Sequence, residues 1–247
     1  MGCEIGHFCT CAKKYVSLRP ERIVSSFAGR GCRQFLKKIV MKIVFATGNR
    51  GKLREAQEIL GKGFQLVTPA EAGITEDIPE TGNTLRANSL QKAEYIYKKT
   101  GLNCFADDTG LEVDILGGGP GVQTARYAGE EKDPAANIRK LLTEMTRREV
   151  EASAARDLGL ETPHATRKAQ FRTSVTLILD GEMHFFDGIM KGKIALERHG
   201  EGGFGYDPVF IPEGYNVTAA EITEEEKNAI SHRGKALRAM AEFLKNE

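Results

Sequence analysis

The chain has 247 residues, 35 Lys+Arg against 34 Asp+Glu for a formal charge of +1, and a mean hydropathy of −0.35. This balance exerts no net pull on a polyphosphate backbone, which argues against a general nucleic-acid binder, and the length suffices for one large core without disulfide or zinc staples. The cysteines Cys3, Cys9, Cys11, Cys32 and Cys104 form no C-x-x-C pair, so a reducing compartment is expected, and Lys37, Lys38 and Lys42 break the best apolar run well short of the ~18 residues that span a bilayer.

Charge is unevenly placed: residues 1–40 carry 8 Lys+Arg and 2 Asp+Glu, a net +6, and the remainder carries −5. Met1-Gly2-Cys3 fails the myristoylation pattern at Gly6, and the fit to an organellar transit peptide is partial. Residues 1–40 are read instead as a poorly ordered basic extension or the product of an early start site. Met41 stands directly before a strand pattern, and the domain is assigned to 41–247.

From there strands and helices alternate. Ile43 to Ala46 reads as a buried strand, and Leu53, Ala56, Ile59 and Leu60 mark a helix that ends near Gly61. Asn83 to Lys99 is a second helix with Gly101 as its stop. A short strand at Asn103 to Ala106 is followed by an alternating one at Leu111 to Ile115. Asp133-Pro134 is an N-cap with Pro at the first helical position. Arg148 to Lys168, polar and without a continuous apolar face, reads as a mobile excursion with some helix around Glu149 to Leu158. Phe171 to Leu179, Asp180-Gly181 and Glu182 to Ile189 form a β-hairpin signal, and Thr223-x-x-Glu226 is a capping box before a helical tail. The sum is an α/β protein with a mixed sheet.

Several stretches suit chemistry. The strand-to-helix loop Thr47-Gly48-Asn49-Arg50-Gly51-Lys52 offers backbone N–H groups and a helix dipole to an anion, or is simply a glycine-containing turn with solvated Arg and Lys. It is not a P-loop, because only two residues separate its glycines and Leu53 follows the lysine. Gly200 to Gly205 spells G-x-G-x-x-G but leads into a strand, which argues against a dinucleotide fold. Phe204 and Tyr206 there offer aromatic surface for stacking beside the acceptor Asp207, or are buried aromatics of a tight turn. Asp107-Asp108-Thr109, placed at a strand end, with Asp77 and Glu80 before the second helix, suits a hard cation or else a turn and cap. Lys227 and Ser231-His232-Arg233-Gly234-Lys235 gather donors at the start of the last helix, for phosphates or carbonyls or as a solvated cap. No zinc spacing and no G-x-S-x-G elbow is found.

Taken in order, Thr47-Gly48-Asn49-x-x-Lys52, Glu80-Thr81-Gly82, Ala106-Asp107-Asp108-Thr109-Gly110-Leu111, Gly121-x-x-x-Ala125-Arg126-Tyr127, Gly202 to Pro208 and Ser231-His232-Arg233-Gly234 resemble the inosine triphosphate pyrophosphatase family over about Met41 to Leu244. The resemblance implies a long mixed sheet with helices around a central substrate cleft, usually dimeric. It implies Mg2+-dependent conversion of ITP, dITP and XTP to the monophosphate and pyrophosphate in the cytoplasm, with no membrane and no stable nucleic-acid partner. It further implies that Glu80 and Asp108 hold the metal and that Asp108 is the proton acceptor. Thr47, Gly48, Asn49, Arg50, Gly51, Lys52, Thr109, Phe204, Gly205, Tyr206, Asp207, Lys227, His232 and Arg233 would contact substrate. Thr109 stands where many relatives have Ser, a change that keeps the hydroxyl.

Overall fold

The computed structural model describes residues 40–160 and 166–246, so the expectations for residues 1–39 and for the middle of the 148–168 stretch lie outside the described residues. In chain order the strands are β1 (Met41–Phe45), β2 (Phe64–Val67), β3 (Cys104–Val113), β4 (Pro120–Gly121), β5 (Lys168–Leu179), β6 (Glu182–Ile194) and β7 (Phe210–Pro212). The helices are α1 (Arg50–Leu60), α2 (Leu85–Thr100), α3 (Pro134–Asp157), α4 (Glu224–Ile230) and α5 (His232–Asn246). One mixed seven-stranded sheet runs β2-β1-β3-β5-β6-β7, with β4 on β3. The β1 pairings with β2 and β3 are parallel, and β3 to β7 are antiparallel.

Each element has a local cause. Asn49 caps α1 by accepting from the Gly51 and Lys52 N–H groups, Thr84 caps α2, and Gly101 closes it in the left-handed region. Asp180 (φ 51°) and Gly181 (φ 89°) make the two-residue turn with positive φ at both positions that lets β5 and β6 twist together.

Two expectations are corrected. Cys104 to Val113 is one strand rather than two, so Asp107 and Asp108 lie within a strand and not at its end or in a turn. Turn propensity yields here to unbroken pairing with β5, from Cys104 opposite Ile178 to Val113 opposite Ala169. The polar stretch after Arg148 holds the helix expected around Glu149 to Leu158 and is corrected only in its continuity: it prolongs α3 unbroken to Asp157, because good helix formers carry pairs such as Arg147–Glu151, and Arg167 on the far side reaches back to Glu149 at 2.8 Å. Its lack of an apolar face is real: Val150 and Leu158 are 64% and 76% exposed.

Three apolar clusters cover the sheet. On one face α1 and α5 pack Ala56, Leu60, Leu237 and Met240 over Phe45 and Phe105, whose rings stack at 4.2 Å. On the same strands' other face α2 packs Ala93 and Ile96 over Val44, Cys104 and Ala106. The extended end of β3, β5 and β6 is covered by Ile138, Leu141 and Met145 of α3. Each fully buried Leu, Ile or Phe stabilises the fold by roughly 1.5–3 kcal/mol, so the polar groups embedded between these clusters are conspicuous. Among the described residues no helix is long and apolar enough to cross a membrane.

Candidate active site

Successive residues of β3 point to opposite faces, so Asp107 and Asp108, adjacent in sequence, meet different surroundings. Asp107 is 1% exposed. Its carboxylate accepts from Lys52 Nζ at 3.0 and 3.1 Å and from Arg233 Nε at 3.0 Å, joining the first turn of α1 to the first turn of α5. Burial alone would push this carboxyl up, but the Lys52, Arg233 and Lys92 cations outweigh it and hold it well below the usual carboxylate range. Arg233, itself buried, is braced a second time by Glu55 at 3.1 Å from Nη1, which leaves Nη2 uncommitted among the described residues.

Asp108 faces α2. Its Oδ2 accepts from Asn88 Nδ2 at 3.0 Å, its Oδ1 accepts from the Thr109 N–H at 3.1 Å, and Lys92 Nζ lies 3.9 Å from that same Oδ1. Burial raises its carboxyl above the ordinary value, against the opposing pull of Lys92 and Asn88. Lys92 also donates to Glu80 Oε1 at 2.6 Å and to the Asp107 carbonyl at 2.7 Å, so one buried ammonium lies between Glu80 and Asp108. Arg126 approaches Glu80 at 4.0 Å.

Among the described residues no three His, Cys, Asp or Glu side chains gather as a ready metal cage. Mg2+ does not need one: it takes one or two protein carboxylates and leaves its other positions to water and substrate phosphate. A partly exposed Glu80 and a half-buried Asp108 that both face a cation already in the fold therefore fit that ion.

The remaining predicted residues fall into two groups. In the first loop Asn49 spends its side chain on capping α1 and Thr47 Oγ1 accepts from the Asn49 N–H, while Gly48, Arg50 and Gly51 stay exposed. The anion-binding N–H groups expected there are thus in part already engaged. Across the site, Asp207 accepts from Phe204 N–H at 2.7 Å and is ion-paired with Lys227, whose ammonium lies 4.8 Å from the Phe204 ring centroid. Phe204 is 65% exposed and free to stack. Tyr206 is not: it is buried, its hydroxyl donates to the Thr124 carbonyl at 2.9 Å, and it supports the loop from beneath. Gly205 takes φ 62°, which allows that tight reversal between exposed Phe204 and buried Tyr206.

His232 joins the two groups. It is buried against Phe171, carries an Nδ1 with no partner among the described residues, and feels Arg233, Asp107, Lys227 and Lys52 together. Burial, with those cations, drives its pKa down to about 3, so the imidazole is neutral. Thr109 points away from Asp108's side and pairs its hydroxyl with Thr173 at 2.7 Å. Asp77, a possible cation ligand from sequence, makes no ion pair among the described residues. Two cavities of about 530 and 480 Å³ lie elsewhere, over the ends of β5 to β7, and hold none of these side chains.

The sequence reading missed Lys92, Asn88 and Glu55. The first two had a visible signal: on α2 the inward positions 85, 88, 89, 92, 93 and 96 include the polar Asn88, Ser89 and Lys92, all buried. Polar residues on the core stripe of a helix are expensive unless they serve a site.

Comparison with known proteins adds a second line. The Ham1 family matches residues 43–243. The dITP/XTP pyrophosphatase of Flavobacterium psychrophilum is 46% identical over 206 residues, covering 83% of this chain and all of that protein. That of Porphyromonas gingivalis is 50% identical over 203 residues, covering 82% and 97%. Among solved structures, a HAM1 protein from Coxiella burnetii superposes with a TM-score of 0.74 at 36% identity, covering 83% of this chain and 99% of that one. The Ham1 protein of Staphylococcus aureus does so at 0.72 and 34%, covering 83% and 98%.

Proposed function

This chain belongs to the Ham1 family, and from that premise we infer that it is a nucleoside triphosphate pyrophosphatase. It hydrolyses non-standard purine nucleotides (ITP, dITP, XTP) to the monophosphate and pyrophosphate, which keeps them out of DNA and RNA. The observation that best supports a reaction at this place is the pair Asp107 and Asp108: one buried carboxylate neutralised by cations, its half-buried neighbour with its pKa raised. Environments that push two acids apart in this way separate a structural from a reacting role.

In the proposed mechanism Asp108 accepts a proton from water as the water oxygen attacks the α-phosphorus. The bond from that phosphorus to the bridging oxygen breaks, and pyrophosphate departs with the electron pair. Mg2+, held by Glu80 and Asp108, supplies charge neutralisation on the phosphate oxygens and acidifies water when bound. Lys52 and Lys92 lie on either side of the Asp107–Asp108 step and stabilise negative charge on the phosphates. Arg233, fixed by Asp107 and Glu55, and His232, held neutral, offer donors to a 6-keto purine, where adenine presents an amino donor instead. A polar mismatch of that kind supplies ~10⁴-fold discrimination against ATP. Phe204 stacks on any purine without choosing among them.

The same proposal makes the protein a cytoplasmic homodimer with no stable nucleic-acid partner; light scattering at twice the 27.1 kDa chain mass tests the dimer. The decisive experiment measures pyrophosphate, distinguished from orthophosphate, released from ITP, XTP, GTP, ATP and dTTP with Mg2+ and with chelator. ITP and XTP turnover that needs the metal, with little from ATP or GTP, is the expected result. A pyrimidine preference, or binding of ITP without pyrophosphate release, overturns it.

A further inference from the structure

Asn88 is part of no expectation drawn from the sequence, yet the fold gives its side chain a partner on each side of the site. It is 2% exposed on the first turn of α2. Nδ2 donates to Asp108 Oδ2 at 3.0 Å, and Oδ1 accepts from the Gly82 N–H at 2.7 Å. The chemistry fixes the amide's orientation, since only an NH2 faces a carboxylate and only a carbonyl oxygen faces an N–H. The next residue, Ser89, is hydrogen-bonded to Thr176 of β5 at 2.8 Å, both side chains fully buried, so the helix turn that carries Asn88 is pinned to the sheet. The Gly82 side is equally tight: a Cβ there would lie 2.8 Å from Asn88 Oδ1 and from Ala87 Cβ, so only a glycine backbone comes this close.

These contacts divide the labour between the two oxygens of Asp108. Oδ2 is engaged by the Asn88 side chain, and Oδ1, which accepts only the adjacent Thr109 N–H, is the oxygen turned toward Lys92 and, beyond it, Glu80. Glu80 lies two residues before Gly82, so the same amide ties the loop bearing one carboxylate to the orientation of the other. A neutral donor suits the task. Lys or Arg would saturate the carboxylate with a full charge, and an acid would repel it.

We propose that Asn88 is a positioning residue of the reaction: it holds Asp108 by Oδ2 so that Oδ1 is presented to the reacting groups, and it locks that orientation to the Glu80 loop. This rests on the pyrophosphatase reading above. The competing role is structural, in which Asn88 merely anchors Gly82 and its bond to Asp108 is incidental.

Two variants separate the roles. Asn88→Ala loses both bonds, whereas Asn88→Asp is isosteric, keeps an acceptor for the Gly82 N–H and sets a like charge in place of the donor that faces Asp108. With ITP and saturating Mg2+, positioning gives a kcat reduced ~10–10²-fold in Asn88→Ala, the range for a misplaced reacting group, with KM within about twofold of wild type. It also gives Asn88→Asp a kcat at least as low. In the Asp108→Asn background, Asn88→Ala adds no further loss, because the group through which it acts is gone. Calorimetric binding of pyrophosphate, read without turnover, stays unchanged in Asn88→Ala. An Asn88→Asp enzyme within about threefold of wild type, a rise in KM at constant kcat, or additive losses in the double variant overturns the role of Asn88 alone. Should Asn88→Ala prove unfolded by melting, the Asn88→Asp comparison carries the test by itself. A wild-type protein that releases no pyrophosphate from ITP overturns the underlying reading as well, and that control is run first.

Discussion

A carboxylate buried beside cations and one buried with room to change its charge do different work, and here they are neighbours on one strand. Asp107 is committed to Lys52 and Arg233, whereas Asp108 has two neutral donors, the Asn88 amide and the Thr109 N–H, and a distant ammonium. Asp108→Asn keeps the shape and removes the proton acceptor, so kcat for ITP falls at least ~10²-fold with little change in melting temperature; steady-state kinetics beside calorimetry check both. A second residue gives a pH signature. The His232 imidazole, at about 3 in the fold, has an ordinary value of 6.5. Above pH 6.5 it is neutral folded or unfolded and costs nothing. As pH falls from 6.5 toward 3 the unfolded chain takes up a proton that the folded one refuses, so stability is lost across that window. Between pH 7 and 5 the wild type loses about 2 kcal/mol of unfolding free energy that His232→Gln does not lose, measured by urea titration at each pH. The motifs that carried Lys52, Asp108, Lys227, His232 and Arg233 were readable because each stands in a short run, on β3 or near the start of a helix. Glu55 was not, because it reaches the site across the interior from a helix that reads as ordinary packing, and the only signal for Lys92 and Asn88 was their polarity on the inward stripe of α2.

Close approach of elements, rather than any one contact, sets where His232 and Arg233 sit. Gly188 of β6 lies against the first turn of α5 so tightly that a Cβ would fall 1.9 Å from the His232 carbonyl oxygen and 2.7 Å from Ala236 N. Neither obstacle is a flexible side-chain end, so Gly188→Ala must lift the helix from the sheet. Overpacking of this kind costs roughly 1–3 kcal/mol, and kcat/KM for ITP falls further than the lost stability accounts for, because the displaced turn bears the base-side donors. Gly63→Ala, where nothing lies within 4 Å of the added atom, is the matched control and stays near wild type in both thermal melting and turnover. The same element-level view explains what periodicity revealed. The hairpin was readable from Asp180-Gly181 and flanking apolar runs, since the turn demands positive φ at both positions. β3 was misread as two strands because Asp-Asp-Thr-Gly has the composition of a turn. Only the ladder to β5 and the cations around Asp107, both distant in sequence, make extended backbone the better solution.

Net charge bears on how an anionic substrate reaches this cleft. Residues 41–247 carry −5, which opposes a triphosphate at long range, while residues 1–40 carry +6. Screening decides which matters. At about 0.15 M salt the Debye length is ~8 Å, so a bound phosphate feels the site itself, where Lys52, Lys92, Lys227 and Arg233 face Asp107, Asp108, Glu80, Asp207 and Glu55, and the summed charge of the chain is nearly invisible. Among the described residues, every hydrogen bond and ion pair of the site lies between Thr47 and Arg233, and the first residue of the three core clusters is Met41. The assignment of the domain to 41–247 predicts that a chain beginning at Met41 matches the full chain in melting temperature and, at physiological salt, in kcat/KM for ITP. At about 0.02 M salt the Debye length exceeds 20 Å, and the full chain gains up to severalfold in kcat/KM through association alone, with kcat unchanged. Turnover of both chains at the two ionic strengths tests this directly. A salt-independent loss in the shorter chain makes residues 1–40 part of the working domain, whereas convergence at high salt confines their effect to electrostatic steering.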